Sequence, residues 1–156
     1  MIRIDDEPAR LRPCRSDRSA GAGGQRIASC AMDRDVWALC EDSGPLLRVT
    51  GVAEDLLPWE SLRFEFAHGV LSLSCDIDTD EIIIEIGQSH PGASDVDEAW
   101  AERLLGKRIV YAWVLQNHRG YNDGFQLRLQ DDERKEYSVQ FEVMASALHP
   151  VRVASD

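Results

Sequence analysis

Between residues 61 and 143 apolar side chains recur at every second position in six separate runs, and each run is bounded by turn-forming residues. A period of two is the signature of a strand with one face in a core and one in solvent. The first three runs are Leu62, Phe64 and Phe66; Leu71, Leu73, Cys75 and Ile77; and Ile82, Ile84 and Ile86. His68-Gly69 and Asp78-Thr79-Asp80 separate them, which describes an antiparallel meander with an apolar and a polar face. The other three are Ile109, Tyr111, Trp113 and Leu115; Phe125, Leu127 and Leu129; and Tyr137, Val139, Phe141 and Val143. Val110, Ala112 and Val114 make the second face of the 109–115 run apolar too, so it reads as a central strand covered on both sides. A short last strand is expected over residues 151–153, and residues 46–52 form a plausible opening strand.

Residues 94–106 carry a different period. Ser94 is a suitable N-cap, Asp95, Asp97 and Glu98 complement the positive end of a helix dipole, and Gly106 closes the far end. Val96, Trp100 and Leu104 repeat every four residues, with Leu105 widening the stripe. Residues 33–40 suit either a short helix or an extended entry. The expected fold class is therefore α+β: a single antiparallel, strongly twisted sheet of about six strands, with one main helix packed on its apolar face. A strongly curved sheet approaching a small barrel is the alternative.

Charge divides the chain unevenly. Residues 1–31 hold six arginines against four acids, whereas residues 32–156 hold 11 basic and 24 acidic residues. The first segment, with its Gly21-Ala22-Gly23-Gly24 run, lacks strand or helix periodicity and reads as a disordered tail. Met32 follows it directly, and translation starting there is one reading of the boundary; residues 32–156 are then one α+β domain. The net charge of −11 disfavours nucleic acid and favours a basic protein partner. The longest apolar runs fall short of a membrane span, and residues 1–12 mix three arginines with three acids rather than forming a secretory leader. These features point to the cytoplasm.

Chemistry-bearing motifs are sparse. Asp76, Asp78, Asp80 and Glu81 suggest a calcium loop, but its sixth and twelfth positions would be Glu81 and Gly87, so no metal is expected. Cys14, Cys30, Cys40 and Cys75 form no C-x-x-C pair and read as reduced, structural thiols. His68, His90, His118 and His149 fall mostly at turns. No catalytic residue and no cofactor is assigned. The densest polar segment is 117–124, where Asn117, His118, Arg119, Tyr121 and Asp123 are the candidate binding residues. Turn chemistry alone also explains much of it, because Asn122-Asp123-Gly124 tolerates positive φ, and Tyr121 could pack back on the sheet. An acidic sheet face of Glu65, Asp76, Glu85 and Glu142 is the other candidate surface.

The segment Leu105-Gly106-Lys107-Arg108, followed by Trp113, Asn117, Gly120-Tyr121, Asp123-Gly124 and Gln126-Leu127, resembles a family of small bacterial proteins catalogued only as a domain of unknown function. The likeness runs from about Phe64 through Asp78-Thr79-Asp80 to Ala145-Ser146-Ala147-Leu148, and covers most of residues 60–153. It implies one compact domain that starts near Met32, and it carries no activity or site residues. The expected function is that of a non-enzymatic protein-binding module, immunity- or inhibitor-like. The alternative is a small enzyme or small-ligand binder with its site at the 117–124 loop.

Overall fold

The computed structural model describes residues 29–53, 58–87 and 92–155. Residues 1–28 and His90 lie outside that set, and with them most of the expected tail. Residues 33–40 are helical, inside helix α1 (Ser29–Asp42), which begins within the last three residues assigned to the tail. Among the described residues no helix is long and apolar enough to cross a membrane.

The expected single sheet is instead two antiparallel sheets. Strands β1 (Leu46–Val52), β2 (Ser61–Phe66), β3 (Gly69–Asp76), β4 (Glu81–Ile86) and the two-residue β5 (Ser94–Asp95) form the first, in the order β4-β3-β2-β1-β5. Strands β6 (Arg108–Gln116), β7 (Asn122–Gln130), β8 (Glu136–Met144) and β9 (Ala147–Ser155) form the second, in sequence order. Each meander has one apolar face, and two such faces can cover each other without a helix. The contact is direct: the Phe64 and Phe141 rings stand 5.8 Å apart, edge to face. Phe64, Leu71, Leu73, Phe125, Leu127, Leu129, Val139 and Phe141 are all fully buried in one shared cluster.

The expected main helix shrinks to α2 (Ala99–Glu102). Ser94 and Asp95, the expected cap and first turn, pair with Gly51 and Thr50 of β1, and the Val96 N–H donates to the Val49 carbonyl at 3.0 Å. Asp95 also pairs with the Arg48 side chain. Glu98 remains extended (φ −125°, ψ 143°) because its carboxylate accepts the indole N–H of both Trp59, at 3.2 Å, and Trp100. The four-residue stripe is still buried: Val96, Trp100 and Leu104 sit in the core, with the Trp100 ring 6.5 Å from Phe64 and 5.3 Å from Phe141. Leu105 is exposed and does not widen it. Ile77 is exposed as well, since β3 ends at Asp76.

The second correction concerns residues 109–115, which form an edge strand rather than a central one. The register of β6 against β7 shifts between Ile109 and Tyr111, so Val110 is the extra residue of a β-bulge. One inserted residue reverses the faces that follow it. Ile109, Ala112 and Val114 therefore turn to the core, opposite Leu129, Leu127 and Phe125. Tyr111 and Trp113 face outward, 46% and 38% exposed, opposite Arg128 and Gln126.

Backbone bonds tie the sheets at two corners. Leu46 N–H donates to Lys107 O at 2.7 Å and Gly106 N–H to Leu46 O at 2.8 Å, while Leu148 N–H donates to Trp59 O at 2.7 Å. A side-chain tie adds to these. Asp80 Oδ1, in the β3–β4 turn, accepts the Ser146 N–H at 3.0 Å and the Ser146 hydroxyl at 2.9 Å. Asp80 and Ser146 both hold left-handed backbones, at φ 54° and 60°, so the turns of two hairpins lock together.

Candidate functional site

The 117–124 segment is held largely by its own hydrogen bonds. Asn117 organises it: its Oδ1 accepts the N–H of Arg119 at 2.9 Å and of Tyr121 at 3.2 Å, and its Nδ2 donates to Asp123 Oδ2 at 2.9 Å. Its backbone N–H donates to Tyr121 O at 2.9 Å, and its carbonyl accepts the Gly120 N–H at 3.0 Å. Gln116 Nε2 donates to the Gly120 carbonyl at 2.7 Å. The reversal falls at residues 117–121, where Gly120 has φ 88°, and not at 122–124. Asn122 to Gly124 already belong to β7; Gly124 is there for space, since a Cβ would lie 3.1 Å from both Leu115 Cβ and Phe141 O.

Of the five predicted binding residues, Asn117 and Asp123 are thus joined to each other and spent on shaping the loop. A pairing of His118 with Asp123 does not form; Asp123 Oδ2 accepts from Asn117 Nδ2 instead. His118 and Arg119 are exposed and their side chains make no hydrogen bond or ion pair among the described residues. Tyr121 stands 49% exposed instead of folding back on the sheet. The loop is also tied across the sheets, where Glu81 Oε1 accepts the Asn122 N–H at 3.2 Å.

The four acids expected to share a face are divided. Glu65, Asp76 and Glu85 lie on the outer side of the first sheet, and Glu142 on the outer side of the second. Three of them have internal partners: Glu65 lies 3.1 Å from Arg63 Nε, Asp76 Oδ1 accepts the Asp78 N–H at 2.9 Å, and Glu142 accepts from Gln140 Nε2 at 2.9 Å. Arg63 Nε is buried and sits off the line of a hydrogen bond to Glu65, so that pair is an ionic contact only.

What the strands do display is an aromatic strip along β6. Tyr111 and Trp113 stack with centroids 5.4 Å apart and planes 29° from parallel. The Arg128 guanidinium lies 5.4 Å from the centre of the Trp113 ring and is anchored by Glu136 at 3.2 Å. Tyr121 and Arg119 stand on the loop that continues from this strand. The sequence shows both aromatics but hides their exposure, because only the bulge at Val110 turns them outward.

A second concavity, of about 590 Å³, opens between the end of α1, the start of β6 and the β7–β8 turn. His68 and Asp42, 3.2 Å apart, and Arg108, Arg134 and Cys40 line it. Burial pushes the Cys40 thiol above its ordinary range, which keeps it protonated near neutrality and unsuited to nucleophilic attack. No residue of the 117–124 loop lines this groove. Among the described residues no group of three or more His, Cys, Asp or Glu is arranged to hold a metal ion.

No curated protein and no solved structure matches the chain. A family of unknown function, DUF6334, matches residues 41–155, which takes in the nine strands of the described residues, the aromatic strip and the 117–121 turn. The chain belongs to that family.

Proposed function

We infer that the protein is a non-enzymatic protein-binding module, of the immunity or inhibitor type, whose contact centre is the outer side of β6 with the loop that follows it. The observation that carries this reading is the stacked Tyr111–Trp113 pair, exposed on an edge strand beside an anchored Arg128. Tyr, Trp and Arg are the side chains that most often dominate binding energy, and here the strands hold them in place before any partner arrives. Tyr121 and Arg119 extend the same surface. The net charge of −11 steers basic partners toward the molecule, which raises the association rate more than the affinity. The partner is therefore a basic protein that meets an aromatic centre on a molecule of net negative charge.

The test is capture on the immobilised full chain at low and high salt, repeated with the double variant Tyr111→Ala/Trp113→Ala. A basic protein should bind at low salt and more weakly at high salt. Truncating both aromatics should weaken it by about 30-fold or more, the size of one hot-spot side chain. Binding that survives the double variant refutes the assigned surface, and binding indifferent to salt refutes the assigned charge of the partner.

A further inference from the structure

Helix α1 is attached to the rest of the molecule in an unusual way. The family match begins at residue 41, so α1 is almost wholly additional to the region that defines the family. It lies against β6 and β4, the terminal strands of the two sheets. Of its described side chains only Leu39 is fully buried; Val36 and Cys40 are partly buried, and Arg34, Asp35, Trp37, Ala38 and Glu41 are exposed. Trp37 is 58% exposed.

The seat of that leucine is built by a missing side chain. A Cβ on Gly69 would lie 2.5 Å from Leu39 Cδ1, and Gly69 does not have a positive φ, so what the glycine provides there is room for the end of the leucine side chain, which would have to shift to admit a Cβ. Grooves undercut the helix on both flanks. One of about 590 Å³ opens between its last turn, Ile109 and the β7–β8 turn, and another of about 400 Å³ is lined by Asp35, Ala38, Gly69 and Ile86. Its last residue is followed by a fixed pivot, since Ser43 O accepts the His68 N–H at 2.9 Å and Pro45 O accepts the Ala67 N–H at 3.0 Å. Beyond the pivot a side-chain tie is the exposed His68–Asp42 pair, which contributes little in water.

We propose that α1 is a hinged cover, seated by Leu39 in the gap at Gly69, which swings from the 42–43 junction and uncovers the edges of β4 and β6 while both sheets remain folded. Few buried apolar contacts and open flanks are the properties of an element that opens locally at a cost far below global unfolding. The closed helix lies along β4 and β6, the terminal strands of the two sheets, so opening it exposes strand edges that the sheets themselves leave unpaired. The cover is separate from the aromatic strip, so either assignment can fail without the other.

Native-state hydrogen exchange on the full chain tests the proposal. Amides of residues 36–42 should exchange at least about tenfold faster than those of β7 and β8, through an opening that leaves the sheets protected. Leu39→Ala should accelerate the α1 amides by a further tenfold or more and leave the β7 and β8 amides unchanged. Gly69→Ala, which fills the seat from the other side, should act in the same way. The proposal is overturned if α1 amides exchange as slowly as the sheet core, or if either variant accelerates helix and sheets by the same factor.

Discussion

The Glu98 carboxylate should be worth more to this fold than its place on a surface-bound turn suggests. It accepts the indole N–H of Trp59 at 3.2 Å and also that of Trp100. Trp100 sits between Phe64 and Phe141, the aromatic contact of the two sheets, and is 8% exposed. Trp59 stacks where Gly51 leaves room, with a hypothetical Cβ there only 2.5 Å from its ring, and its carbonyl holds the Leu148 N–H at 2.7 Å. One carboxylate thus fixes the two indoles that join β1, the β8–β9 hairpin and the sheet interface.

A hydrogen bond to a charged group contributes roughly 1.5–3 kcal/mol, and an orphaned buried donor costs roughly 1–3 kcal/mol. Both hydrogen bonds are part-buried, so Glu98→Ala should cost about 2–4 kcal/mol rather than the sum of two full bonds. Glu98→Gln retains an acceptor of the same shape and should cost about half as much. Urea unfolding followed by far-UV circular dichroism measures both without relying on tryptophan emission. The pairing itself is tested by a cycle with Trp59→Phe, where loss of the donor should shrink the Glu98→Ala penalty by about 1 kcal/mol or more. A penalty below about 0.5 kcal/mol, or one unchanged in the Trp59→Phe background, would refute the argument.

Asp80→Ala should destabilise by about 1–2 kcal/mol in the same urea assay, because it removes both bonds to Ser146, whereas Asp78→Ala should cost less. Asn117→Ala should cost about 1–2 kcal/mol and raise exchange of the Arg119 and Tyr121 amides, while Tyr121→Ala should stay within about 0.5 kcal/mol of the parent. Arg134 holds φ 66°, so Arg134→Gly should stabilise by about 0.5–1 kcal/mol despite the added freedom of the unfolded chain. The Arg48 side chain, hydrogen-bonded to Asp95, holds that carboxyl below its ordinary range. A depressed folded pKa means the contribution is present above the unfolded carboxylate pKa and disappears as pH falls through the folded one. Both groups are exposed, so the effect should be small and fade with salt, and Asp95→Asn should flatten it in acid-titration melts.

The strands were legible because alternation is a local signal: β2, β3, β4, β7 and β8 bury or half-bury the residues their period marks, apart from Ile77 beyond the end of β3. How the strands divide into sheets was not, since two apolar faces and one larger twisted sheet have the same alternation. The helix at 94–106 misled for a related reason. Val96, Trp100 and Leu104 do share the core, but the partners of Asp95 and Glu98 are Arg48, Trp59 and Trp100. Pairing Asp95 with β1 is a long-range event, and it outcompetes the capping role that Ser94 and its acids offer locally. The bulge at Val110 left no mark at all in a run where every residue from Ile109 to Leu115 is apolar or aromatic. With both faces apolar, the sequence could not say which one met solvent.

That ambiguity also explains why the sequence draws attention to the loop and not to the strand. A polar loop attracts attention because it holds many donors and acceptors, yet a loop must satisfy its own backbone, and Asn117 and Asp123 do so here. Groups consumed in this way have little left to offer a partner. In the function proposed above, recognition falls to side chains that the fold positions but does not use: Tyr111 and Trp113 on a strand, Tyr121 and Arg119 at its end. Leaving two stacked aromatics 46% and 38% exposed forgoes part of a burial worth roughly 1.5–3 kcal/mol for each when complete, and a chain that needed only stability could place polar residues there as it does at Gln126 and Gln140. Polar replacements at 111 and 113 should therefore leave the melting temperature almost unchanged while binding is lost; a fold that unravels with them would show that the strip serves packing alone.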